Sequence, residues 1–243
     1  VRDRLRASLK VAACLVTAMT FAKAAHAARP LINDDARVVD PQACQLETWT
    51  KRGFQDGIRE FWALPACNPT GKLEITFGGN RSDFEDVDSQ NSLVVQGKTL
   101  FRQLEGDDWA IGLVAGGTKS SPSTRGGPSL IYGYIPLTVA RFDNRLILHF
   151  NLGTSHNYET GTTAANWGAG TEIAVWGERA YFIGEVYDDT QKRTEYQVGL
   201  RVWLVLNRVQ MDTTYGGQFG VTNSGHFYTL GLRLLTPPFL PKW

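Results

Sequence analysis

A set of polar side chains interrupts apolar runs at every second position, and these carry whatever chemistry the chain can perform. The acids are Glu47, Glu74, Glu172, Glu185 and Asp212; the bases are Lys98, Arg102, Arg201 and Arg233; His149 and Asn151 complete the set. Residues two apart in a strand share a face, so these groups gather opposite the Leu, Val and Tyr residues between them. Mixed charges along a narrow lumen select or guide small polar solutes. The same charges can instead pair with one another and fill a small barrel. Two pairings follow from spacing. A two-residue turn at Leu206-Asn207 sets Val205 beside Arg208, and stepping along that ladder brings Arg201 opposite Asp212. Arg233, in the last run, approaches Glu47, in the first, across a closing seam.

Hydrolytic chemistry has weaker support. His149 has Asn151 two residues on, but no serine shares its face nearby, and Ser155-His156 falls in a polar loop. Asp188-Asp189 and His226 fall near one rim, where a surface hydrolase would hold them, yet nothing in the sequence orients them. The histidines lack metal-ligand spacing. Gly116-Gly117, Gly126-Gly127 and Gly216-Gly217 are not followed by the Lys-Ser/Thr of a phosphate cradle. The expectation is therefore no enzyme, no cofactor and no metal.

The elements that must position these residues are short. Twelve alternating runs extend from Cys44–Lys51 to Phe227–Leu235, most near the 9–11 residues that cross a bilayer at a tilt. Tyr228, Leu230, Leu232 and Leu234 oppose Thr229, Gly231 and Arg233; Leu146, Leu148, Phe150 and Leu152 oppose His149 and Asn151. A soluble sandwich also alternates, so the connections carry the distinction. One set is tight, with Asp143-Asn144 as turn chemistry. The other set, Asn80–Asn91, Gly117–Ser129, Thr154–Ala165 and Gly216–Gly225, is expected to form long polar loops. Short periplasmic turns and longer outer loops are the layout of an outer-membrane barrel. Trp167, Tyr196, Tyr215 and Tyr228 at outer ends, and Trp109 at an inner end, suit interfacial girdles. Arginine or lysine facing lipid at the midplane costs about 2–4 kcal/mol, which assigns the charged set to the lumen.

The first residues read as an export signal. Arg2, Arg4, Arg6 and Lys10 precede an apolar stretch, Val11–Ala22, and Ala25-His26-Ala27 offers a cleavage site before Ala28. An amphipathic helix fits less well, because the stretch is apolar on every side. A lipoprotein box at Val11-Ala12-Ala13-Cys14 lacks an adequate apolar stretch before it. Removing residues 1–27 takes the formal net charge from +1 to −3, with no basic field for nucleic acid. Residues 28–43, with Pro30 and Pro41, read as a periplasmic N-terminal segment, and 44–243 as the barrel. Cys44 opens the first run and Cys67 closes the second, so a hairpin brings both to one rim and predicts a disulfide.

Arg29-Pro30-Leu31-Ile32-Asn33-Asp34-Asp35-Ala36 resembles the stretch that leads into the first strand of bacterial phenol meta-pathway-degradation-like barrels, with Asn33 where Thr is usual. Gly199-Leu200-Arg201, Gly231-Leu232-Arg233-Leu234-Leu235 and Pro237-Pro238-Phe239 are similar in style. The resemblance implies an outer-membrane transporter or channel and brings no catalytic residues. Pro237, Pro238 and Pro241 cannot extend a paired strand, so the last strand is expected to stop near Leu235, ahead of the terminal Trp243.

The sequence thus predicts an all-β fold: a single antiparallel up-and-down transmembrane β-barrel of about twelve strands in the outer membrane of a Gram-negative cell. Its partners would be outer-membrane lipid and lipopolysaccharide, the barrel-assembly machinery and a small solute. The expected function is passive or facilitated passage of that solute. The alternatives are a non-conducting structural or surface-interaction barrel working through long outer loops and, more distantly, an outer-membrane hydrolase.

Overall fold

The computed structural model describes residues 32–54, 57–85, 88–123, 126–191, 193–221 and 225–241. The export signal, the Cys14 lipoprotein box, residues Arg29–Leu31 of the resemblance motif and Trp243 lie outside the described residues. Twelve antiparallel strands follow in order: β1 (Cys44–Gly53), β2 (Arg59–Cys67), β3 (Leu73–Asp83), β4 (Gln90–Arg102), β5 (Trp109–Ser121), β6 (Leu130–Arg141), β7 (Leu146–Asn157), β8 (Thr162–Trp176), β9 (Ala180–Asp189), β10 (Glu195–Val205), β11 (Val209–Gln218) and β12 (Phe227–Leu235). Each pairs with its sequence neighbours, and β12 closes on β1, so the sheet is a complete barrel with no free edge.

The period-two pattern decides which face each side chain takes, and the faces are inverted relative to a soluble protein. Phe77, Val95, Leu152 and Leu230 are more than half exposed outside, whereas Arg201 and Arg233 are 0% and 1% exposed inside. An apolar exterior around a charged interior is the surface of a barrel whose outer solvent is lipid. Two apolar clusters also lie in the interior: Tyr181, Ile183 and Trp203, and Trp49, Leu64 and Val94 with Trp62 against them.

One rim is stapled and tightly turned. Cys44 faces Cys67 across β1 and β2, and the two form a disulfide. Phe142, Asp143, Asn144 and Asn207 take left-handed φ values of 57°, 56°, 60° and 56° in the turns after β6 and β10, a geometry that the short polar side chains of Asp143, Asn144 and Asn207 tolerate. β12 ends at Leu235, and the chain beyond it returns to β1, with Thr236 N–H donating to the Cys44 carbonyl at 2.9 Å.

The opposite rim differs from the expectation of long loops. The strands continue, leaving only 54–58, 84–89, 122–129, 158–161, 190–194 and 219–226 as connections. Ser155, His156 and Asn157, for instance, pair with Ala164, Thr163 and Thr162. Above the apolar band both faces of a strand are wet, so alternation disappears from the sequence while backbone pairing persists.

Candidate functional site

The segment expected to lie in the periplasm instead enters the barrel. A turn closes where Ala43 N–H meets the Asp40 carbonyl at 3.0 Å, and Gln42 adopts φ 60° within it. Going back from that turn, the chain leads into the lumen, where Val39, Arg37, Ala36, Asp35, Asp34 and Asn33 are all buried. An extended chain there has no sheet ladder to satisfy its amides, and a buried unpaired N–H is costly. The wall supplies the acceptors. Ile32 and Asn33 donate to the two oxygens of Glu185 at 2.7 and 2.8 Å, Ala36 to Thr138 Oγ1 at 2.8 Å, and Val39 to Glu74 Oε2 at 2.8 Å. Asn151 Nδ2 donates to the Asp34 carbonyl at 2.8 Å, and Asn68 Nδ2 to that of Val39 at 2.8 Å. The wall carboxylates are thus partly backbone caps for a plug.

Ion pairs fix the side chains of the same segment. Lys98 Nζ stands 3.0 Å from Asp34 Oδ1, 3.7 Å from Asp35 Oδ1 and 3.8 Å from Glu74 Oε1. Tyr134 OH donates to the other Asp34 oxygen at 2.8 Å. Arg37 bridges Asp35 at 3.1 Å and Glu172 at 2.9 Å. Glu172 also takes Arg201 Nη1 at 2.9 Å and His149 Nε2 at 2.9 Å. Gly168 makes room for this packing: a Cβ at that position would overlap the Asn33 carboxamide.

Two cavities flank the plug. The outer one, about 380 Å³, is lined by Ile32, Asn33, Lys51, Tyr134, Asp188 and Glu195 among others; the inner one, about 440 Å³, by Arg37, Val39, Asp40, Asn68 and Tyr181 among others. The buried layer from Asp34 to Ala36 divides them. At the inner mouth, burial pushes the Asp40 carboxyl above its ordinary range, against the pull of Arg208 and Arg233.

Of the polar set singled out from sequence, Glu47, Glu74, Lys98, His149, Asn151, Glu172, Glu185, Arg201, Asp212 and Arg233 point inward and meet the plug or one another. Arg201 faces Asp212 across β10 and β11, Nε to Oδ2 3.7 Å, and Arg233 faces Glu47 across β12 and β1 at 3.5 Å. Arg102 is a correction. A bulge between Leu100 and Arg102 sets Arg102 opposite outward-facing Ile111; its guanidinium pairs with Asp108 and covers the Trp109 ring. One inserted residue flips every later side chain, so Arg102 belongs to the inner rim and not to the lumen.

Sequence reasoning missed the plug residues Asn33–Val39 and also Thr138, whose hydroxyl lies 3.0 Å from His149 Nδ1. Thr138, His149 and Glu172 have the hydroxyl–imidazole–carboxylate order of an acyl-transfer triad. Their setting argues for a strut. Thr138 is fully buried beneath the Ala36 amide, which it accepts, and Glu172 is engaged by two arginines. No carbonyl substrate can reach that hydroxyl while the plug is seated. His226 is taken up by Tyr215 OH at 2.8 Å, while Asp188 and Asp189 bond within their own hairpin to Thr194 and Gln191.

Comparison with known proteins agrees with this architecture. A family model described as "Uncharacterised conserved protein UCP029691" matches residues 14–235. No curated protein matches the chain. Among solved structures, the KdgM porin in complex with disordered oligogalacturonate superposes with a TM-score of 0.57 at 10% identity, covering 79% of this chain and 98% of its own. The NanC porin gives 0.59 at 12% identity, covering 78% and 98%. The outer membrane protein Omp33 of Acinetobacter baumannii gives 0.52 at 6% identity, covering 79% and 96%. At such identities the likeness is one of fold. The chain has the fold of an outer-membrane porin barrel.

Proposed function

We propose that this chain, which belongs to the family of uncharacterised conserved protein UCP029691, is an outer-membrane channel for a small polar solute, closed at rest by its own N-terminal segment. The observation that carries this reading is the buried Asp34–Ala36 layer between two cavities. Cleavage of the export signal before Ala28 would leave four residues, 28–31, ahead of Ile32 in the mature chain. A kinship with phenol meta-pathway-degradation-like transporters, suggested by Arg29–Ala36, belongs to the same proposal.

The charge balance narrows the solute class. Among the described residues, seven buried acids face four buried bases in the lumen and plug. Fixed charge of one sign in a low-dielectric tube repels like charge and concentrates its opposite. A polyanion such as the oligogalacturonate of the KdgM complex is therefore disfavoured here, and small cations or neutral polar molecules are favoured.

A specific observation also supports a non-conducting barrel: the plug is bonded to the wall along its whole described length. The short outer connections, in contrast, weaken the idea of a barrel working through long loops. Gly168→Val separates the two remaining readings, because it presses on Asn33 without altering a lumen charge. In planar bilayers, wild-type protein should be nearly silent. The variant should give discrete steps whose reversal potential in a KCl gradient is cation-selective. A folded, inserted Gly168→Val barrel that stays silent would leave the non-conducting reading.

A further inference from the structure

The outward positions at the outer end of the barrel are not equivalent around its circumference. On β8, β10, β11 and β12 they carry Trp167, Tyr196, Tyr215 and Tyr228; on β1, β2, β3 and β5 they carry Arg52, Arg59, Arg81 and Lys119. Arg52 lies directly opposite Arg59, and like charges so placed destabilise a sheet unless an anion lies between them. Asp83 faces Arg59 in register from β3, with its carboxylate bonded to Arg81 at 2.9 Å and Ser89 at 2.6 Å, so this one acid meets four cations and the patch keeps a net positive charge.

Depth is set by the girdle below. From Trp109 at the inner interface to Lys119 along β5, strand rise and tilt give about 25 Å along the membrane normal, the height of the apolar band. Lys119 therefore sits at the outer headgroup level. Beside it runs a groove of about 510 Å³, bounded by Phe61, Leu93, Arg81 and Lys119 and floored by the small residues Ala63 and Gly79. Phe61 and Leu93 are more than half exposed. Lys119 Nζ also donates to Ser123 Oγ at 3.2 Å, and the cations stand above an apolar trough.

We infer that this face binds lipopolysaccharide, with lipid A phosphates on Arg59, Arg81 and Lys119 and an acyl chain lying in the trough between Phe61 and Leu93. The inference rests on the proposed outer-membrane location. A juxtamembrane cation contributes to anionic lipid binding separately from its neighbours, so the three together are worth on the order of 100-fold in affinity.

Native mass spectrometry of the full chain in detergent tests this, with bis-phosphorylated lipid A and phosphatidylglycerol as probes. Wild-type protein should retain one lipid A through detergent release, and Arg59→Gln/Arg81→Gln/Lys119→Gln should bind it on the order of 100-fold more weakly. Lipid A stripped of its phosphates should bind wild type as weakly as the variant binds intact lipid A. Equal retention by variant and wild type, or equal binding of phosphatidylglycerol, would overturn the site. Insertion of both proteins into phosphatidylcholine vesicles, read by heat-modifiable migration, is measured alongside. Failure of both to insert would overturn the membrane reading and the site with it, whereas insertion with equal lipid A retention overturns the site alone.

Discussion

Replacing Lys98 with Met should loosen the plug while leaving the barrel closed. The ammonium group of Lys98 stands within 4 Å of three buried carboxylates, those of Asp34, Asp35 and Glu74, at 3.0, 3.7 and 3.8 Å, while Asp35 also has Arg37 at 3.1 Å. Methionine keeps most of the side-chain length and removes the charge. Deleting one partner of a buried ion pair typically costs about 3–5 kcal/mol, because the other charge is left uncompensated. Asp35 keeps its Arg37 pair, but Asp34 loses its ammonium partner and can escape that cost by leaving the lumen for water, whereas Glu74 stays on the wall. Even the lower figure then moves the seated-to-released equilibrium by about a factor of 100. Amide hydrogen exchange reads this equilibrium directly, since the Asn33, Ala36 and Val39 amides are protected only by wall side chains. A peptide covering residues 32–40 should exchange about 100-fold faster in Lys98→Met, with β10 and β11 as an internal reference that does not move. If the plug amides exchange within about threefold of wild type while β10 and β11 stay protected, Lys98 does not hold the plug and its ion pairs are not what closes the lumen.

Two carboxyls outside the strands should show opposite pH behaviour. Burial raises Asp40, so its ionisation opposes folding as pH climbs through the unfolded value of about 3.9 toward the higher folded one. Asp40→Asn should accordingly raise the melting temperature at pH 7 and leave it unchanged at pH 3. Asp107 is held below its ordinary range by the backbone N–H groups of Asp143, Asn144 and Phe142. Asp107→Asn should lower the melting temperature at pH 7, and the difference should fade as pH falls below about 3.9 and through the folded value. Cys44→Ser/Cys67→Ser opens a loop of sequence separation 23, which on loop-closure entropy should cost about 3 kcal/mol, read as an earlier denaturant midpoint in lipid vesicles.

What the sequence reveals depends on whether one face of an element is held in a single solvent. Where lipid lies on one side and the lumen on the other, alternation assigns the face, and a tight turn then fixes the register. The Arg208 N–H to Val205 carbonyl bond closes the turn, and Arg201 falls opposite Asp212 as counted, although a bulge between Trp203 and Val205 sits beside that turn. Counting fails at Arg102 because a bulge adds a residue without marking the sequence. It fails again above the membrane, where Ser155–Asn157 and Thr162–Ala164 are paired strands with water on both sides. The plug has no period at all. Its signal is chemical: Asn33-Asp34-Asp35-Ala36-Arg37 places two adjacent carboxylates and an arginine just ahead of the first strand, matched to Lys98 and Glu172 on the wall. Those partners lie far away in sequence, so the match is visible only once the barrel has closed.

The way the plug is held bears on whether it can move. Among the described buried residues the wall carries Glu47, Glu74, Glu172, Glu185 and Asp212 against Lys98, Arg201 and Arg233, and the plug brings Asp34 and Asp35 with Arg37. The described, buried part of the plug is therefore acidic within an acidic tube, and that like charge opposes its seating. What retains it is local: the Lys98 and Arg37 pairs, and wall oxygens that satisfy backbone amides. Glu185 is the clearest instance. Its oxygens accept the Ile32 and Asn33 amides and the Gln197 carboxamide, so its charge is met by N–H groups. A carboxylate satisfied in this way loses its partners once the segment leaves, and water or an entering cation can replace them. The released lumen then presents wall oxygens that the seated plug had covered, so a cation that reaches the outer cavity competes with the plug for those same oxygens.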